Sequence, residues 1–160
     1  MKKSVYIDTT IPSYYFDDRK EISFQKQITK KWFLEESQKF DIFISEAVLI
    51  ELQTGSYPNQ EKILEFTLQF DILKNNSEIN KIASIYIQNY LMPKDFEGDA
   101  LHLAFASFYK IDFLLTWNCN HLANANKRQH IRIINTRLNL VIPEIITPLE
   151  LFTETSGKET

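Results

Sequence analysis

The chain has 160 residues, 44% hydrophobic and 24% charged, with 3 Gly and 5 Pro; this composition excludes collagen-like, low-complexity and wholly disordered classes and suits one ordinary domain. Eighteen basic and 21 acidic residues leave a net charge of −3, which argues against a protein that coats nucleic acid by bulk electrostatics. A lone cysteine, Cys119, precludes an internal disulfide, no apolar run approaches the roughly 18 residues that cross a bilayer, and Asp8 cuts short any secretory leader, so a soluble cytoplasmic protein is expected.

Residues 4–8 (SVYID) are short, apolar and β-rich, and they stop at Thr9-Thr10-Ile11-Pro12, where a helix can be capped and started. Residues 20–39 carry Ile22, Phe24, Ile28, Trp32 and Phe33 at helical spacing, which predicts an amphipathic helix. Residues 41–45 repeat the first pattern: an apolar triplet, then Ser45 as N-cap of a helix over 46–53 that Gly55 ends. A helix over 59–68, a short strand over 70–73 and a helix from Ser77 to near Pro93 follow. Glu97-Gly98-Asp99 opens a largely apolar helix over 100–109, residues 113–117 read as a strand, 119–127 as a helix and 131–134 as the last strand. Short apolar strands alternating with helices predict an α/β fold, a three-layer α/β/α sandwich on a central, mostly parallel sheet of about five strands. One domain over residues 1–152 and a disordered polar tail over 153–160 are expected.

In open parallel sheets, ligands bind beyond the carboxyl ends of the strands at the point where strand order reverses. Asp8, Ser45, Glu46, Thr116, Trp117 and Asn118 follow strands, and Asp99 joins them if its helix starts at the same rim. Glu51 sits two turns into its helix, among apolar neighbours, and reaches that rim only if the helix leans inward. Clustered carboxylates repel unless a cation or a shared proton relieves them, and all-oxygen donors suit Mg²⁺ or Mn²⁺ rather than Zn²⁺. His102, three residues beyond Asp99, reads as a packed histidine beside the acids. Between Asp112 and Glu144 no acid occurs, yet Lys127, Arg128, Arg132 and Arg137 do, a local basic patch suited to a phosphate backbone.

The ordered set Val5-Tyr6-Ile7-Asp8-Thr9, Ile44-Ser45-Glu46-Ala47-Val48-Leu49-Ile50-Glu51-Leu52, Gly98-Asp99-Ala100-Leu101-His102-Leu103-Ala104 and Leu114-Leu115-Thr116-Trp117-Asn118 resembles the PIN-domain family, most closely its small VapC-like bacterial toxins. The resemblance implies a Mg²⁺- or Mn²⁺-dependent ribonuclease with Asp8, Glu51, Asp99 and Asn118 as its catalytic set. Asp8, Asp99 and Asn118 would serve the metal, and Thr9, Thr116 and Glu46 would support it. Asn118 and His121 fall where many members carry further aspartates, which lowers the charge of the site. The resemblance also implies an RNA substrate, a small antitoxin partner and a homodimer, with no membrane association. A PIN-like module that binds RNA or a protein without cutting is the alternative. Phosphoacceptor and phosphatase readings fail because Asp8 is followed by Thr9-Thr10, and the three glycines cannot make a phosphate-binding loop.

Overall fold

The computed structural model describes residues 1–92 and 97–153. Five strands, β1 (Lys3–Ile7), β2 (Phe40–Ser45), β3 (Asp71–Leu73), β4 (Phe113–Leu115) and β5 (Glu144–Ile146), form one sheet in the order β3-β2-β1-β4-β5. Every pairing is parallel. Parallel neighbours need crossover connections, and helices supply them. Helices α1 (Thr10–Phe16) and α2 (Ser23–Glu35) join β1 to β2, while α3 (Glu46–Gln53) and α4 (Gln60–Thr67) join β2 to β3. Helices α5 (Ser77–Gln88) and α6 (Glu97–Phe108) return the chain across the sheet to β4, and α7 (Ala125–Arg137) leads to β5. The result is the expected three-layer α/β/α sandwich.

Burial on both faces explains why the central strands are unbroken apolar runs: Val5, Tyr6, Ile7, Leu114 and Leu115 are fully buried. Trp32 of α2 is also fully buried, stacks on Phe40 at 5.8 Å and donates its indole N–H to the Leu151 carbonyl at 2.9 Å. Truncating such a side chain to alanine costs about 3–5 kcal/mol, and with Glu36, which accepts from the Thr153 N–H at 2.6 Å, this residue ties the C-terminal segment to the core. Gly55, at φ +73°, stands two residues beyond α3, the left-handed position that glycine takes without strain.

The strand register sets the site. Val5 lies opposite both Ile42 and Phe113, and Ile7 opposite Leu115, so Asp8 and Thr116 leave adjacent strands side by side. From β1 the chain passes first to β2 on one side and later to β4 on the other, so Asp8 and Thr116 flank the reversal of strand order.

Three expectations are corrected. Residues 119–124 are not helical and residues 131–134 are not a strand: residues 125–127 and 131–134 both belong to α7, and the last strand is β5. The Asn124 side chain accepts the Lys127 N–H at 2.9 Å and so caps the helix six residues later than expected. Ile131 and Ile134 bury one helical face, while Ile133, which a buried strand would have covered, is 46% exposed. The residues expected as one helix over 20–39 divide into short 3₁₀ turns at Lys20–Ile22 and Ser37–Lys39 on either side of α2. Pro93 and residues 154–160 of the expected tail lie outside the described residues.

Candidate active site

Asp8, at the end of β1, is 2% exposed. Its two oxygens serve different neighbours. Oδ1 accepts the backbone N–H of Thr10 at 3.0 Å and the Thr10 hydroxyl at 2.5 Å, which anchors the start of α1, and Oδ2 accepts the Thr116 hydroxyl at 2.5 Å. Thr116 Oγ1 in turn accepts the backbone N–H of Asn118 at 2.9 Å, and Asn118 Nδ2 donates to Asp99 Oδ2 at 3.0 Å. Asp8 and Asp99 are thus linked through the two polar residues that follow β4. Asn118 Oδ1 accepts the backbone N–H of His121 at 3.0 Å, which closes the turn after the strand.

Glu51 does lean into the rim from α3. Its Oε1 accepts hydrogen bonds from the Thr9 hydroxyl and from His102 Nε2, the latter at 2.6 Å, while the side chain remains 40% exposed. His102, on α6 with Asp99, is buried, and its Nδ1 lies 2.7 Å from the Tyr6 hydroxyl. Tyr6 also meets Ser45 Oγ at 2.7 Å, and Ser45 caps α3 by accepting the Val48 N–H at 3.3 Å. One hydrogen-bonded chain therefore runs from the cap of α3, through the interior of β1, to the carboxylate of Glu51.

The electrostatics divide the acids into two kinds. Burial pushes the Asp8 carboxyl up, against the downward pull of His102, Thr10 and Thr116, and the charge of Asp99 adds to the rise. Burial likewise raises Asp99, against His102, His121 and the Asn118 bond, with Glu51 adding to the rise. For Glu51 burial is outweighed by the hydrogen bond and charge of His102 and by the Thr9 hydroxyl, so its carboxyl lies below the usual range. Burial would lower His102, but the bond and charge of Glu51, then Asp8 and Asp99, outweigh it and hold the imidazole above its ordinary value. For Glu51 the bond and charge of His102 win over burial, whereas for Asp8 and Asp99 burial wins over the charges and hydrogen bonds around them.

Among the described residues, no three Asp, Glu, His or Cys side chains are grouped to hold a metal ion. The carboxylates that suit a hard cation are Asp8 and Asp99, whose raised carboxyls mark charge that a cation would relieve; the Asn118 amide turns its Nδ2 to Asp99 and its Oδ1 to the His121 N–H. Magnesium characteristically takes one or two carboxylates and completes its shell with water and phosphate oxygens, which matches so sparse a set.

Of the other expected residues, Glu46 is engaged elsewhere, its Oε1 accepting the Asn75 N–H at 2.6 Å. Lys127 donates to the Leu91 carbonyl and Arg128 to the Ile145 carbonyl at 2.9 Å, so these two cations are held against the protein's own backbone. Arg132 and Arg137 are exposed on α7. Ser45 lies at the rim as expected, and Tyr6 and Gly98, marked in the sequence only as members of their motifs, join it. The available signals were a phenol within a buried strand, which needs a partner, and a glycine inside the first turn of a helix.

No family model and no curated protein matches the chain. Solved structures do. A toxin-antitoxin complex from Klebsiella pneumoniae is 18% identical over 90% of this chain and 97% of its own, with a TM-score of 0.58. VapBC2 from Rickettsia felis, bound to a DNA fragment from its promoter, is 16% identical over 90% and 98%, also at 0.58. Mycobacterium tuberculosis VapC20, a sarcin-ricin loop cleaving toxin, is 11% identical over 69% and 86%, at 0.55. The chain shares its fold with these structures.

Proposed function

We propose that the chain is a Mg²⁺- or Mn²⁺-dependent endoribonuclease, the toxin of a toxin-antitoxin pair. The observation that carries this reading is the convergence of the buried Asp8 and the half-buried Asp99, both with carboxyls pushed up by burial, with Glu51 and Asn118 at the carboxyl edge of a parallel sheet where strand order reverses. Asp8, Asp99 and Asn118 would hold the cation. A divalent ion there supplies positive charge against a phosphate and lowers the pKa of water. Asp8 is fixed for this role by Thr10 and Thr116, so little reorganisation is needed on binding. Glu51, charged at neutral pH and partly exposed, is suited to accept a proton from an attacking water. Arg132 and Arg137, exposed on α7, would meet the RNA backbone, while Lys127 and Arg128 are held against the protein's own backbone. The similarity to toxin-antitoxin structures supports a small antitoxin partner; a second copy of the chain and a cytoplasmic setting complete the proposal. No described helix is long and apolar enough to cross a membrane.

The test is cleavage of single-stranded RNA by protein freed of any co-purified partner, with and without Mn²⁺ and a chelator. Cleavage that requires the metal and falls by about 10³-fold or more in Asp8→Asn and in Asp99→Asn is the expected result. Failure of folded protein both to cleave and to bind Mn²⁺ calorimetrically would leave a PIN-like module that binds without cutting. The amide at 118 and the internal pairing of Glu51 with His102 favour that second reading.

A further inference from the structure

We propose that His102 and Gly98, one helical turn apart on α6, form with Thr9 a clamp on the Glu51 carboxylate, and that His102 is thereby a positioning residue. Its kinetic consequence rests on the ribonuclease reading; the clamp itself rests on geometry. Oε1 of Glu51 takes two hydrogen bonds, from Thr9 Oγ1 and His102 Nε2. Oε2 lies on the other side, against Gly98: a Cβ at that position would stand 2.6 Å from Oε2 and 3.4 Å from Cδ. Gly98 has no positive φ, so its backbone does not call for glycine, which at this point weakens the helix. Space for the carboxylate explains it.

The imidazole cannot rotate away. Nε2 faces a carboxylate and must carry hydrogen, while Nδ1 is 2.7 Å from Tyr6 Oη, whose other neighbour is Ser45 Oγ at 2.7 Å. This chain is satisfied whether Tyr6 donates to His102 and accepts from Ser45, or accepts from His102 and donates to Ser45. In both arrangements Nε2–H points at Glu51. His102 is 2% exposed and Tyr6 is fully buried, so neither touches a substrate, and whatever they contribute passes through Glu51. The clamp occupies Oε1 and leaves Oε2 as the working oxygen, one residue from Asp99 along α6.

The experiment measures Mn²⁺-dependent RNA cleavage, calorimetric Mn²⁺ affinity and metal-free melting for the wild type, His102→Ala, His102→Gln, Gly98→Ala, Glu51→Gln and the Glu51→Gln/His102→Ala double variant. A clamp predicts that His102→Ala and Gly98→Ala each lower kcat by about 10²-fold, with KM and Mn²⁺ affinity held within about threefold. His102→Gln, whose amide donates to Glu51 and whose carbonyl accepts from Tyr6, should recover about tenfold or more of that loss. In the Glu51→Gln background, His102→Ala should lower kcat no further. The proposal is overturned by a glutamine variant as poor as alanine, by losses that multiply in the double variant, or by Mn²⁺ affinity falling in step with kcat. If the wild type cleaves no RNA, the ribonuclease reading falls, and the melts judge the clamp: the double variant melting within about 2 °C of the lower single variant sustains it, and additive shifts overturn it.

Discussion

Helix α6 contributes to two buried polar networks that differ in kind. Toward its C-terminal end, Ser107 meets the Tyr86 hydroxyl at 3.0 Å and the Asn135 amide at 2.9 Å, while Asn135 also bonds Tyr86 at 2.7 Å and the Val141 carbonyl at 2.9 Å. The side chains of Tyr86, Ser107 and Asn135 are neutral and buried, and burial pushes the Tyr86 phenol up to about 12, too high to ionise. Toward the N-terminal end a tyrosine, here Tyr6, again sits at the centre, but its network includes an imidazole, runs out to a carboxylate that is 40% exposed, and adjoins two acids whose carboxyls burial pushes up. The first network fastens α5, α6 and α7 together. The second opens to solvent through a carboxylate, and that difference distinguishes a candidate site from a brace.

The comparison can be broken from either side. The largest expected effect is on Asp8: Asp8→Asn should abolish metal-dependent cleavage yet raise the metal-free melting temperature by about 2–4 °C, because it removes a buried charge whose folded pKa is raised. For such a group the folded state binds more protons, so ionisation at neutral pH costs stability, and thermal melts of wild type and variant read the sign directly. Next is the brace. Asn135→Ala strands Tyr86, Ser107 and the Val141 carbonyl and should cost about 3 kcal/mol by denaturant titration, with kcat of the folded fraction unchanged.

A third variant sharpens the site. Asn118→Asp replaces the donor to Asp99 with a further acid, so Mn²⁺ affinity should rise about tenfold by calorimetry while the metal-free protein melts lower. The smallest effect is the pH response of the Glu51–His102 pair. Its Glu51 share is lost as pH falls through that residue's lowered folded pKa, and its His102 share, complete below the unfolded value near 6.5, is lost as pH rises through the raised folded pKa. Melting curves from pH 4 to 9, compared with Glu51→Gln, should differ most between those limits.

Much of this was legible in the sequence because local chemistry and global fold agree. The run into Asp8, the Ser45 cap and the apolar α6 each carry one pattern that the sheet and its crossovers then use. The C-terminal third was misread because Ile131, Ile133 and Ile134 satisfy a strand pattern as well as a helical one, and the decisive signal was the Asn124 cap. β5 is only three residues long and directly follows Pro143, too brief to announce itself. At the rim, Asp8, Asp99 and Glu51 stood out as acids in unusual places. The pairing of Glu51 with His102 joins residues 51 positions apart, and no local spacing encodes it.

The two outer strands of the sheet, β3 and β5, have three residues each and begin with Asp71 and Glu144. Short borders that open on a charge offer little template for another chain to extend. A protein with 13% aromatic residues therefore has the risk of strand-by-strand polymerisation held down at both margins of its sheet.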